Sequence, residues 1–249
     1  MPPRKPGRPK KRFAYKTAKS VTRFQNRARM SRQMTSFGSS GKNRIGFPKT
    51  QLVKLRYCQS FQMGPSNTAT IGAEYAFRAN SIFDPDQSGA GHQPIGRDQW
   101  EPFYNTYTVV GSTINVRILK NPGAVNASSN SIVGVLLHDT ATLPTTTVTT
   151  IQEQGLGSWR VLQGLQNGNV VNLKQNFSAK KFFNVTNLRD NQDRLGADMG
   201  SNPPSTGDAF YIIWAATTIA GGLSANSVEF MVTIEYSVLL SDPKALGQS

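Results

Sequence analysis

Hydrophobic and polar positions alternate most regularly near the C-terminus, where Val228, Phe230, Val232, Ile234, Tyr236 and Val238 are separated by Glu229, Met231, Thr233, Glu235 and Ser237. Successive strand side chains point to opposite faces, so this pattern predicts one buried row and one mostly polar row over Val228–Leu240. Thr113–Lys120 repeats it, with Ile114, Val116 and Ile118 inward and Asn115 and Arg117 outward. Val53, Leu55, Tyr57 and Phe61 alternate with Lys54, Arg56 and Ser60. Ile132–His138 and Phe210–Ala215 are nearly continuous apolar runs, the signature of strands covered on both faces. Glu74–Asn80, Asn169–Gln175 and Lys180–Thr186 complete a set of eight expected strands. Short helices are expected within Arg97–Tyr107 and Ile151–Leu165, limited by Pro102 and by Gly155 and Gly157.

Eight strands joined by long loops predict an all-β fold: a single eight-stranded antiparallel jelly-roll sandwich over residues 51–249. No internal repeat appears. The loops Asn80–Glu101, Leu143–Gln163 and Asn187–Gly207 are longer than hairpins require, which makes them candidates for contacts with other molecules.

Residues 1–50 have a different texture, rich in Arg, Lys, Pro, Gly, Ser and Gln with few aliphatics. Such a segment buries too little apolar surface to offset its ordering entropy and is expected to be a disordered arm. Charge sharpens the boundary. Of the 28 Lys and Arg residues, 17 fall within residues 1–56, and the first carboxylate is Glu74. The remaining 11 bases face all 14 carboxylates, so residues 57–249 carry a net charge of −3 against a strongly cationic N-terminal segment.

That arm predicts a polyanionic partner. Each base that meets a phosphate releases counterions, which supplies affinity without sequence preference. Arg4, Lys5, Arg8, Lys10, Lys11, Arg12, Lys16, Lys19, Arg23, Arg27, Arg29, Arg32, Lys42 and Arg44 are the candidate nucleic-acid-binding residues. Phe13, Tyr15, Phe24 and Phe37 lie among these bases, placed to stack on unpaired nucleobases at roughly 1–3 kcal/mol each. The cluster Arg4, Lys5, Arg8, Lys10, Lys11 and Arg12 also fits a nuclear import signal. Its Gly7-Arg8-Pro9 core resembles an AT-hook, which reads the narrow minor groove of A·T-rich duplex.

Catalysis finds little support, and no enzymatic activity, cofactor or metal is expected. His92 lies in a Gly/Pro-rich loop and His138 ends an apolar run, neither with a nucleophile elbow or zinc-ligand spacing. Asp84-Pro85-Asp86 with Asp98, and Asp190, Asp193 and Asp198, offer oxygen ligands suited to calcium, but turn chemistry accounts for the first group and serves equally for the second. Gly38-Ser39-Ser40-Gly41-Lys42 lacks the spacing of a phosphate loop. Cys58, the single cysteine, falls within a strand and reads as a small packed residue. Trp100, Trp159 and Trp214 read as core or interface anchors. No apolar segment follows the basic stretch, which speaks against a secretory signal, and Asn126, Asn176 and Asn184 head Asn-x-Ser/Thr triplets expected to be chance.

One string is distinctive: Phe77-Arg78-Ala79-Asn80-Ser81-Ile82-Phe83-Asp84-Pro85-Asp86, then Gly91-His92-Gln93-Pro94, Asp98-Gln99-Trp100, and Tyr104 with Tyr107 through Ser112. It resembles the capsid proteins of circular single-stranded DNA viruses that encode a rolling-circle replication protein, the circovirus-like group. Val53–Tyr57 is similar to that group's first sandwich strand, and Ile234–Val238 followed by Asp242-Pro243-Lys244 to its last, so the resemblance spans about Leu52–Lys244. It implies a structural protein of the virion, self-assembly of about 60 copies into the simplest icosahedral shell, T=1. It further implies packaging of single-stranded DNA by the arm, passage through the host nucleus on import receptors, and a cell-surface receptor, with no membrane partner. The arm departs from the group in mixing and spreading its Lys and Arg. Two other readings fit the composition: a capsid protein of a small positive-strand RNA virus, or a cellular AT-hook-type DNA-binding protein with a β-sandwich interaction domain. A cupin-like or sugar-binding jelly roll would need clustered metal ligands, which two separated histidines do not supply.

Overall fold

Strand β1, Thr50–Met63, follows the alternation read from its sequence: Val53, Leu55 and Tyr57 are buried while Lys54, Arg56 and Ser60 face solvent. The computed structural model describes residues 47–65, 70–120, 130–155, 157–163, 170–188, 191–200, 203–204, 208–217 and 227–245, which belong to the compact unit Gly46–Ser249. After β1 come β2 (Ala73–Arg78), helix α1 (Arg97–Trp100), β3 (Tyr104–Lys120) and β4 (Ser131–His138). Helix α2 (Val148–Glu153), β5 (Ser158–Leu162), β6 (Val170–Ser178) and α3 (Ala179–Phe182) follow, then α4 (Gln192–Leu195), β7 (Gly196–Asp198), β8 (Phe210–Thr217) and β9 (Val228–Pro243).

The strands form two sheets, ordered β1-β9-β3-β6 and β2-β8-β4-β5, with β7 joining the first at β3. Every pairing is antiparallel. Without β7, the chain alternates between the sheets except at the β4–β5 hairpin, and first and last strands lie side by side. That interleaved order is the jelly roll. Strand β9 is its spine, paired with β1 from Val228 to Ser241 and with β3 from Val228 to Pro243.

Two apolar clusters hold the sandwich. The larger fills the space between the sheets and includes Tyr57, Phe77, Tyr107, Ile114, Tyr211, Phe230, Ile234 and Tyr236. The smaller lies on the other side of the second sheet, where Val148 and Ile151 of α2 cover Leu136, Ile212 and Trp214. Strand β8 is therefore apolar throughout because Tyr211, Ile213 and Ala215 enter one cluster and Phe210, Ile212, Trp214 and Ala216 the other. Gly134 is opposite Trp214, and a Cβ there would fall 2.3 Å from the indole ring. The glycine makes the room the indole occupies.

Several local expectations are corrected. Among the described residues the sandwich has eight strands, the number expected, and the three-residue β7 is added to the first sheet at β3. The helix expected over Arg97–Tyr107 stops at Trp100, and Tyr104 already belongs to β3. Strand β3 is longer than its pattern suggested because a bulge between Val109 and Gly111 changes its parity. Tyr107 and Val109 are buried before the bulge, Ser112, Ile114 and Val116 after it, so one simple alternation does not span the strand. The helix expected over Ile151–Leu165 is instead α2 followed by β5, and Leu143–Gln163 is not a bare loop. Gly157, at φ +73, makes the break; a Cβ there would fall 2.2 Å from the Val135 carbonyl oxygen. Lys180–Thr186 is not a strand. Its first residues turn helically in α3, bringing Phe182 and Phe183 to 5.6 and 6.0 Å from the ring of Phe177, and Asn184 at φ 52 ends the turn.

Candidate functional site

The bases assigned to nucleic-acid binding and import, Arg4 through Arg44, lie outside the described residues. Three bases of the cationic segment are described: Lys49, Lys54 and Arg56, all exposed. Arg56 meets Glu235 across the β1–β9 pair, an ion pair open to solvent on both sides and therefore worth under about 1 kcal/mol. Ahead of β1, Phe47 packs on Phe103 at 4.6 Å, and the Tyr104 hydroxyl donates to the Pro48 carbonyl at 3.1 Å.

From β1 the first sheet presents an outward face whose composition follows from the registers. Arg56, Glu235, Thr113 and Asn176 form one row across β1, β9, β3 and β6. Cys58, Thr233, Asn115 and Lys174 form the next, and Ser60, Met231, Arg117 and Asn172 the third. Cys58 is thus exposed rather than packed, its Sγ 3.6 Å from Thr233 Oγ1, because its position in the alternation belongs to the outer row. The second sheet differs: α2 covers part of its outer side, and Glu74 accepts a hydrogen bond from the Leu143 amide at 3.0 Å. On its edge strand β5, Trp159 (38% exposed), Arg160 and Val161 face solvent. Of the other two indoles, Trp214 is 1% exposed in the smaller core and Trp100 packs against the larger one.

The loop string that carries the resemblance performs structural work at its start. Tyr236 donates to the Arg78 carbonyl at 2.7 Å, Ser112 to the Ala79 carbonyl at 2.6 Å, and Asn80 Oδ1 accepts from the Ala209 amide at 3.2 Å. Ser81 Oγ lies 3.0 Å from the Tyr107 hydroxyl. Four consecutive residues leaving β2 are thereby bonded to β3, the start of β8 and β9 inside the core, where an unmet polar group costs about 1–3 kcal/mol.

The acidic turn that follows is held by its own bonds. Asp86 accepts from the Tyr75 hydroxyl at 2.6 Å, from Gln59 Nε2 at 2.9 Å and from the Ser88 amide at 2.9 Å. Burial pushes its carboxyl up, but the bonds from Tyr75, Gln59 and Ser88 outweigh that and hold it below the usual range. Asp84 moves the other way, raised by burial and by the negative charge of Asp86, with Arg78 only partly offsetting them. Asp98 bonds to Arg97 Nη1 at 2.9 Å. Of the second acidic group, Asp190 and the side chain of Asp193 lie outside the described residues, while Asp198 is exposed on β7. Among the described residues, no three His, Cys, Asp or Glu side chains stand close enough to hold a metal ion.

Sequence reasoning missed Arg97. It is 3% exposed, donates from Nη1 to Gln93 at 3.0 Å and Glu101 at 2.8 Å as well as to Asp98, and lies 5.3 Å over the Phe83 ring. Its acceptors at positions 93, 98 and 101 are visible in the sequence, but nothing local marks the arginine as buried. His92 packs edge-on against Tyr57 at 4.7 Å, and His138 Nδ1 lies 3.0 Å from Asp139 and 2.8 Å from Thr140.

No family model matches the chain, and no curated protein matches it. Among solved structures it is similar to one of desmodium yellow mottle tymovirus, at 13% identity and TM-score 0.38, covering 86% of this chain and 99% of that one. It is also similar to the decameric BFDV capsid protein (10% identity, TM-score 0.40, 76% of this chain and 99% of that one). The 60-mer BFDV capsid protein matches at 12% identity and TM-score 0.40, over 82% of this chain and 100% of that one.

Proposed function

We propose that the chain is the capsid protein of a small non-enveloped virus. The jelly roll forms the shell, and the arm, residues 1–50, packages circular single-stranded DNA through Arg4, Lys5, Arg8, Lys10, Lys11, Arg12, Lys16, Lys19, Arg23, Arg27, Arg29, Arg32, Lys42 and Arg44. The observation that carries this reading is the division of charge: 17 bases and no carboxylate in residues 1–56, then a net charge of −3 over residues 57–249. A globular protein seeking only solubility gains nothing from that segregation, whereas a container for a polyanion needs it. In a shell of about 60 copies the arms bring on the order of a thousand positive charges, the scale of a small genome. The first six of those bases serve nuclear import, so the protein passes through the host nucleus before it resides in the virion; import receptors and a cell-surface receptor are its host partners.

DNA is preferred to RNA on the distinctive string between Phe77 and Ser112 alone, and the RNA reading shares every other feature. Electron microscopy of the purified full chain, with nuclease typing of whatever co-purifies, tests both. Closed particles holding a DNase-sensitive, RNase-resistant polynucleotide are expected. A monomer at all concentrations that prefers A·T-rich duplex would replace the proposal with the cellular DNA-binding reading.

A further inference from the structure

The outward face of the first sheet is not an evenly mixed solvated surface. Arg117 on β3 and Lys174 on β6 are diagonal neighbours on it, about 7 Å apart at Cβ by the geometry of an antiparallel pair. Both are exposed, and neither has a carboxylate partner among the described residues. The two carboxylates of this face are on β9, and one of them, Glu235, is engaged by Arg56. Between the two bases the surface sinks into a concavity of about 550 Å³ lined also by Asn115, Asn172, Thr233 and Met231. Met231 is 40% exposed there, an apolar side chain beside amides and cations.

We infer that this concavity is a second contact surface for single-stranded polynucleotide, in which Arg117 and Lys174 meet successive phosphates and a base lies on Met231. Charge complementarity selects this occupant. Two unpaired cations side by side repel each other and favour an anion that spans both. A strand with exposed bases supplies the anion together with flat apolar faces for the methionine and polar edges for Asn115 and Asn172. The inference rests on the packaging function proposed above and adds a site on the folded body to the one in the arm.

The test uses the full chain and an oligothymidylate of about 20 nucleotides, longer than the 4–16 covered by single-strand grooves. A photo-crosslinking amino acid is placed at Thr233, and in a control protein at Val161 on the other sheet. Separately, Arg117→Gln with Lys174→Gln is titrated against salt. Expected are several-fold more crosslinked oligonucleotide at Thr233 than at Val161, and a slope of log K against log salt shallower by about 1.4, two phosphates at about 0.7 each. Unchanged slope and equal crosslinking, with the oligonucleotide still bound, would overturn the second surface and leave the arm intact. Crosslinks joining two chains at Thr233 would assign the face to a second copy and overturn it equally. Failure of the full chain to bind the oligonucleotide at all would remove the packaging function and this inference together.

Discussion

Asp84 and Asp86 stand two residues apart in one turn and answer a change of pH in opposite directions. The Asp86 carboxyl has a lower proton affinity folded than unfolded, so its stabilising effect is present above the unfolded value, near 3.8, and is lost as pH falls through the folded one. Asp84 has a higher affinity folded, so its ionisation opposes folding at pH values above that raised value, and the penalty disappears below 3.8. Asp84→Asn is therefore expected to raise the urea midpoint at pH 7 and leave it unchanged below pH 3.8, while Asp86→Asn lowers it at pH 7. Chemical denaturation of both variants across that range decides; a loss of stability in Asp84→Asn at pH 7 would contradict the assignment. The core hydroxyls make a second prediction at this scale. Tyr236→Phe orphans the Arg78 carbonyl and should cost about 1–3 kcal/mol in the same measurement. None of this was legible beforehand. A sequence shows that Asp-Pro-Asp makes a turn, but the partners of Asp86 come from β1 and β2, 27 and 11 residues away.

At the scale of elements, the strands most easily read were those with one environment along their length. Strand β9 keeps a single alternation from Val228 to Val238, and β8 is apolar throughout because both its faces are covered. What escaped were elements whose period breaks. Strand β3 hides half its length behind the bulge at Val110, and β5 is five residues on a sheet edge behind a left-handed glycine. Lys180–Thr186 failed because three phenylalanines pack better in a turn of helix than in an extended segment. The bulge carries a sharp consequence. Deleting Val110 would remove the extra residue, set Val109 opposite Val238 and Gly111 opposite Ser237 in one unbroken alternation, and leave Tyr107, Val109, Ile114, Val116 and Ile118 on the buried face. The deletion variant is expected in the soluble fraction with near-ultraviolet circular dichroism close to the parent's; an insoluble variant would show that the strand cannot close up at this point. Trp214→Ala, which empties the space Gly134 leaves for the indole, should cost about 3–5 kcal/mol by denaturation.

For the whole molecule, the concentration of cations toward the N-terminus was plain from composition, and the last of these bases, Lys54 and Arg56, already lie on β1. The faces of the body were not plain. That Arg117 and Lys174 stand diagonally on adjacent outer rows depends on the pairing of β3 with β6, strands 50 or more residues apart, and pairing across that distance leaves no local signature. The proposed division of labour places packaging in residues 1–50 and mutual docking in the jelly roll. The most direct test neutralises the fourteen arm bases from Arg4 to Arg44 to glutamine in the full chain and compares the ratio of absorbance at 260 and 280 nm in purified material with the parent. The account predicts a ratio well below the parent's, with the body still folded and still self-associating. An undiminished ratio would contradict it.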